Sequence, residues 1–134
     1  MTARGAITRG RRAAEALMVD QCTIRAESDE VTTDPVTGVV TPVPGKVVYT
    51  GRCKLQLTRG AFPSTPEGGE HRWSMAPLEV HIPVSGTSAV NANCVIEVTA
   101  SSDPANVGRR FRVRAGDRKT FGTSIRLIVD EVIH

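Results

Sequence analysis

Residues 109–115 read RRFRVRA. Phe111 and Val113 alternate with Arg110, Arg112 and Arg114, a period of two that puts apolar side chains on one face of a strand and guanidinium groups on the other. A helix would spread the same residues around its axis. The segment reads as a half-buried β-strand with Phe111 and Val113 facing a core.

The same period recurs on either side. TSIRLIVDEVI (123–133) sets Ile125, Leu127 and Val129 against Arg126, Ile128 and Asp130. LEVHIPV (78–84) aligns Leu78, Val80, Ile82 and Val84, and NCVIEVTAS (93–101) aligns Cys94, Ile96 and Val98. Upstream, QCTIRAE (21–27) alternates Cys22, Ile24 and Ala26 with polar residues. KVVYT and CKLQLT read as two short strands broken near Gly51. Turn chemistry punctuates these runs. In DPVTG (34–38), Pro35 presets φ and Gly38 accepts positive φ, predicting a hairpin with an exposed tip. Asp103 and Pro104 begin another turn, and Gly108 supplies positive φ or close strand approach. Short strands with turn signals between them predict a mainly β fold, a small β-barrel or sandwich. The expected organisation is one domain over 1–134, its barrel strands falling in 20–58 and 78–133.

Composition agrees with this class. The chain has 134 residues, enough for one domain with a real core. Aromatics are only 4% of residues, while 12 glycines and 8 prolines break the chain often. Residues 5–18, GAITRGRRAAEALM, are the one helical segment. Ile7, Ala14, Leu17 and Met18 share a face and Arg9, Arg11 and Arg12 point largely elsewhere. Gly10 weakens this helix by about 1 kcal/mol relative to alanine. Residues 59–77, RGAFPSTPEGGEHRWSMAP, have no period and form a long irregular loop. Phe62 and Trp73 lie in it beside Glu67, Glu70, His71 and Arg72, so something must cover the two aromatic rings. A loop of that length in a compact domain is usually functional or disordered.

Cys22, Cys53 and Cys94 form no C-x-x-C pair, and the expectation is reduced core thiols in a protein assembled in the cytoplasm. The basic N-terminal region lacks the apolar segment of a signal peptide, and no run of about 18 apolar residues predicts a membrane span.

Catalysis needs a preorganised set of groups, and none is readable. The histidines are His71, His81 and His134, with no H-x-x-x-H or H-E-x-x-H spacing. Glu70 and His71 are the best pair, but adjacent residues in a loop are not held in place. Phosphate-binding glycine patterns are absent as well. The expectation is a non-enzymatic protein without metal or cofactor.

Charge points to an acidic partner. Net charge is +3, but the 17 basic residues are unevenly placed. Arg4, Arg9, Arg11 and Arg12 precede the first acid, and Arg109, Arg110, Arg112, Arg114, Arg118 and Lys119 cluster near the other end. Nucleic acid, another subunit or a solvated face would each account for this. A nucleic-acid site would also need exposed aromatics for stacking, and Phe111 turns inward. That leaves non-specific phosphate contact as the nucleic-acid alternative.

The order of segments resembles a known family. A basic N-terminal helix, a D-P-x-T-G hairpin and VVYTGRCKLQ are followed by a long loop and LEVHIPV. VTASSDPANVGRRFRVRAGDRKTFGTSIRLIVDE completes the order. Together they are similar to the head-to-tail connector proteins of long-tailed phages, specifically the stopper or head-closure proteins of actinobacterial phages. The resemblance implies a virion structural protein of the phage neck, assembled in the host cytoplasm. It implies a homo-oligomeric β-barrel ring, sixfold or twelvefold, that closes the DNA channel after packaging and docks the tail. Its implied partners are a portal-adaptor ring on the head side, a tail terminator or tail tube on the other, and packaged DNA touched non-specifically; no membrane is involved. Loop 59–77 would reach into the channel with Phe62, Glu67, Glu70, His71, Arg72 and Trp73. A tail terminator or another connector ring is the neighbouring possibility.

A closed ring joins two different faces of each subunit. The expected pair sets Arg110, Arg112 and Arg114, with Arg109, against Glu27, Asp29 and Glu30 of a neighbour or against acids of the adaptor ring. The N-terminal helix is expected either to pack on its own barrel as a lid or to reach an adjoining ring with Arg9, Arg11 and Arg12 outward, the second placement being preferred.

Overall fold

The computed structural model describes residues 3–57 and 78–132. Helix α1 spans Ala3–Ala16. It is followed by β1 (Asp20–Arg25), β2 (Val31–Thr33), β3 (Val40–Pro42) and β4 (Val47–Leu57). Then come β5 (Leu78–Ile82), β6 (Val95–Ala100), β7 (Arg110–Asp117) and β8 (Ile125–Glu131). Six strands close into a barrel in the order β1-β4-β5-β8-β7-β6, with β6 returning to β1 and every pairing antiparallel. Closure leaves the barrel no free strand edge, which is how a small all-β protein avoids edge-to-edge association.

The alternation carries into burial. Phe111 and Val113 are buried while Arg110, Arg112 and Arg114 face out. Ile24, Val80, Ile82, Ile96, Val98 and Leu127 join them in one core. Burying an aliphatic or aromatic side chain of this kind stabilises the fold by roughly 1.5–3 kcal/mol. The three cysteines are free and buried, as small apolar side chains. A hydrogen bond with Cys53, and then burial, push the Cys22 thiol well above its ordinary value, so it stays protonated and unreactive.

Three local features differ from the expectation. The two strands expected around Gly51 are one continuous strand, β4, which pairs with β1 through Cys53 and with β5 from Lys54 onward. Tyr49 folds back over Gly51: a Cβ there would lie 2.8 Å from the Tyr49 hydroxyl oxygen, and that hydroxyl donates to the Arg52 carbonyl at 2.8 Å. Glycine thus seats a ring on the strand instead of breaking it. Burial pushes the Tyr49 phenol up to about 12.

Helix α1 starts and ends two residues earlier than its periodicity suggested. Its exit tightens through i→i−3 bonds, Leu17 N–H to the Ala14 carbonyl and Met18 N–H to Glu15, which turn Met18 into the protein. Leu17, expected on the docked face, is 62% exposed. Gly10 is a contact point, since a Cβ would meet Thr123 Cγ2 at 2.9 Å. Its missing side chain lets the helix lie against the turn before β8.

Arg11 is the third: of the two placements expected for the helix, it favours the barrel. It is half-buried, and its Nε–H donates to the Gly122 carbonyl at 3.1 Å. The helix therefore packs on its own barrel, because Arg11 supplies a donor to a carbonyl of the same turn that Gly10 approaches.

Candidate functional site

Three surfaces stand out: a hairpin arm, the arginine strand β7, and a cleft under α1. The arm is the excursion between β1 and β4. β2 and β3 pair Val31 with Pro42, Thr32 with Thr41 and Thr33 with Val40, forming a two-stranded sheet apart from the barrel. The expected DPVTG turn is its tip. Asp34 Oδ1 accepts from the Val36 and Thr37 amides at 2.8 and 3.3 Å, and Gly38 adopts φ +73°. Those two backbone donors hold the Asp34 carboxyl below its ordinary value. Directly paired residues share a sheet face, so Val31, Thr33, Val40 and Pro42 form one mainly apolar side. Every residue from 29 to 42 is exposed, Val36 at 90%. A two-stranded hairpin is marginal alone in water, and this one has an apolar face without cover from its own described residues.

Strand β7 and its neighbours arrange the expected ring-interface residues differently from a free basic strip. Arg109 donates through Nε and one terminal nitrogen to the two carboxylate oxygens of Glu131, both at 2.9 Å. It also donates to Asn106 Oδ1 at 2.9 Å and lies 5.1 Å from the Phe111 ring centre. Arg109 is thus a strut holding the 104–106 turn to β8. Asp103 caps that turn by accepting from the Ala105 amide, and Gly108 at φ +88° leads into β7, both as expected. Arg118 donates to the Thr87 carbonyl and to the Val90 carbonyl at 2.8 Å, pinning the segment between β5 and β6. The pairing expected between subunits also occurs within one chain: Arg112 lies 3.7 Å from its own Glu27, and Arg114 lies 3.4 Å from Asp130. Both are half-exposed pairs worth at most about 1 kcal/mol each. Arg110, opposite Glu97 in register, is exposed and has no ion pair among the described residues. Asp29 and Glu30 are exposed at the stem of the arm, and Arg9 and Arg12 are exposed on α1. The channel-loop residues Phe62, Glu67, Glu70, His71, Arg72 and Trp73 lie outside the described residues.

The Arg109–Glu131 pair predicts an acid-sensitive contribution. Arg109 holds the Glu131 carboxyl below its ordinary 4.5. A depressed carboxylate stabilises the fold above its unfolded-state value and loses that stability as pH falls through the folded one. With the side chains 31% and 34% exposed, the pair is worth about 0.2–1 kcal/mol. Urea unfolding of Glu131→Gln should show that loss at pH 7, and the gap to wild type should close below pH 4.5.

The cleft under α1 was missed by sequence reasoning. Its volume is about 380 Å³, and its floor is the outer face of β4, β5 and β8. His81 pairs with Lys54 on one side and Arg126 on the other, so the three form one row across the sheet. His81 lies opposite the apolar side of the LEVHIPV alternation. It does face outward, but it is only 8% exposed. Burial lowers its pKa, and the flanking cations add to this against the opposing pull of Glu79, 3.4 Å from Nε2. Only a register assignment could have revealed this row, because Lys54, His81 and Arg126 come from distant stretches of sequence.

Geometry and charge define a small closed β-barrel with a detached arm, mixed charge on its outer wall, and no group of three or more His, Cys, Asp or Glu able to hold a metal ion among the described residues. No helix among those residues is long and apolar enough to cross a membrane. The chain belongs to the family of unknown function DUF6093, whose profile matches residues 10–130. No curated protein matches it. Among solved structures it is similar to the solution structure of protein SF1141 from Shigella flexneri 2a, at 16% identity and a TM-score of 0.49. That alignment covers 85% of this chain and 92% of the other.

Proposed function

We propose that this chain is a non-enzymatic structural protein of the phage neck, a head-to-tail stopper. It assembles in the host cytoplasm as a homo-oligomeric ring that closes the DNA channel after packaging and docks the tail. The observation that carries the reading is the arm. A detached hairpin with an apolar face and acidic residues at its stem is stable when a second surface covers it, and an oligomer supplies that surface. Closed rings join two unlike faces, and the arm and β7 are two such faces on different parts of one subunit. Asp29 and Glu30 of one copy meet Arg110 of the next, while Arg112 and Arg114 divide their charge between their own chain and the neighbour. The resemblance in segment order, from the D-P-x-T-G hairpin to T-S-I-R-L-I-V, supplies the neck as the place of assembly. The same order suits a tail terminator, which shares the design of a small β-fold in a ring.

Cryo-electron microscopy of the particle neck, with the chain identified by mass spectrometry, tests the proposal. The expected result is a ring of barrels between the portal-adaptor complex and the tail, with each arm lying on the next subunit. A ring seated on the tail side of that joint would assign the terminator role instead. Absence of the chain from particles would overturn the structural reading and favour a non-specific nucleic-acid-binding barrel. Arg110→Glu is expected to reduce assembly at least tenfold while leaving the monomer folded; unchanged assembly would remove β7 from the interface.

A further inference from the structure

The cleft under α1 brings together positive charge and hydrogen-bond donors that the protein itself leaves unpaired. Lys54 and Arg126 flank His81 in register on the strands either side of it, and on β7 Asp117 lies opposite Arg126. Neither the Lys54 nor the Arg126 side chain makes a hydrogen bond or an ion pair within 4.0 Å among the described residues. Gln56 and the hydroxyls of Thr123 and Ser124 add donors around the same space. The one carboxylate in the lining, Glu79, is engaged with His81 at 3.4 Å. From the helix side the wall is Ala14, Leu17 and Met18, which carry no charge.

We infer that this cleft binds a phosphate-class oxyanion, held by Lys54 and Arg126 with the neighbouring hydroxyl and amide donors. A tetrahedral oxyanion accepts several donors at once, and charge-assisted bonds are the strong ones. The volume holds such an ion with bridging water. The inference does not depend on the stopper reading, since it rests on the barrel's outer wall and the seat of α1.

The binding should be pH-dependent. The groups facing His81 are Lys54 from β4, Glu79 from its own strand and Arg126 from β8, with no charged group from the α1 wall. Burial and the two cations keep the imidazole neutral near pH 7. A bound anion offsets those cations and raises the His81 pKa, so by linkage His81 adds affinity as pH falls for an oxyanion whose own charge stays constant, such as sulfate.

The test is titration of the full chain with inorganic phosphate at constant ionic strength, followed by heteronuclear NMR of the backbone and the His81 ring. Saturable shifts at Ser124, Arg126 and His81 are expected, and with sulfate, a dianion throughout, the apparent Kd should be several-fold lower at pH 6 than at pH 8. Lys54→Gln and Arg126→Gln should each weaken binding at least tenfold with unchanged melting temperature, and Arg114→Gln should bind as wild type. A short DNA duplex in place of phosphate tells a free ion from a backbone phosphate: shifts at the same residues would make DNA the source. Non-saturable shifts equal to those caused by chloride would overturn the inference. So would phosphate binding that survives both cleft substitutions and falls with Arg114→Gln.

Discussion

Phe111→Ala is expected to lower the free energy of unfolding by about 3–5 kcal/mol, the range for deleting a buried aromatic ring. Phe111 is fully buried and the largest such side chain in the barrel. Its strand is paired on both sides, through Ile96 of β6 and Glu131 of β8, so closed walls limit how far the cavity can collapse. The ring also lies under the Arg109 guanidinium, and its loss removes that contact as well. Urea denaturation followed by circular dichroism measures the change. Phe111→Leu, which keeps most of the volume, should cost less than half as much. A loss below about 1 kcal/mol for the alanine variant would place the ring outside the core.

Gly45→Ala should cost about 1–3 kcal/mol, near the upper end, for a reason that lies outside the barrel core. Gly45 sits where the arm rejoins the barrel. A Cβ there would be 1.7 Å from the Ala26 carbonyl oxygen and 2.8 Å from its carbon, so main chain must move to admit it. Two links close the stem at this point: the Ala26 amide donates to the Lys46 carbonyl at 2.8 Å, and Arg25 donates to the Gly45 carbonyl at 3.1 Å. The register of β1 on β4 also shifts between Ile24 and Arg25. Displacing this stem should speed hydrogen exchange at the Ala26 amide and change the angle at which the arm leaves the barrel. If the proposed ring is correct, assembly should fall more than stability does. Unchanged stability would show that the stem shifts without cost.

The legibility of these features follows from how local their causes are. Alternation in RRFRVRA, LEVHIPV and TSIRLIVDE was enough to orient Phe111, Val80 and Leu127, because a strand's side chains alternate whatever it pairs with. The DPVTG tip, the Asp103 cap and the positive φ of Gly108 were equally legible, since each depends on the chemistry of a few consecutive residues. Gly51 misled because the residue that uses its empty space, Tyr49, acts through a folded ring position that strand propensity does not describe. The contact of Gly10 with Thr123 was out of reach for a similar reason, since the two residues lie far apart in sequence.

For the candidate sites, the basic cluster was visible as composition but its use was not. Arg109 and Arg118 act as internal struts, and Arg11 anchors α1, because acceptors from Glu131, Thr87 and Gly122 reach them only in the folded barrel. The row Lys54–His81–Arg126 is assembled from three separate stretches, so nothing near any one of them in sequence points to the other two.

The sequence by itself determined the class of fold, the inward face of the barrel strands and the chemistry of the turns, since period and turn preference act over a few residues. Only the tertiary structure decided which strands are neighbours, which arginines are already occupied and where the cleft lies. Those outcomes depend on register, and register is set by closing the barrel and burying one face of every strand at once.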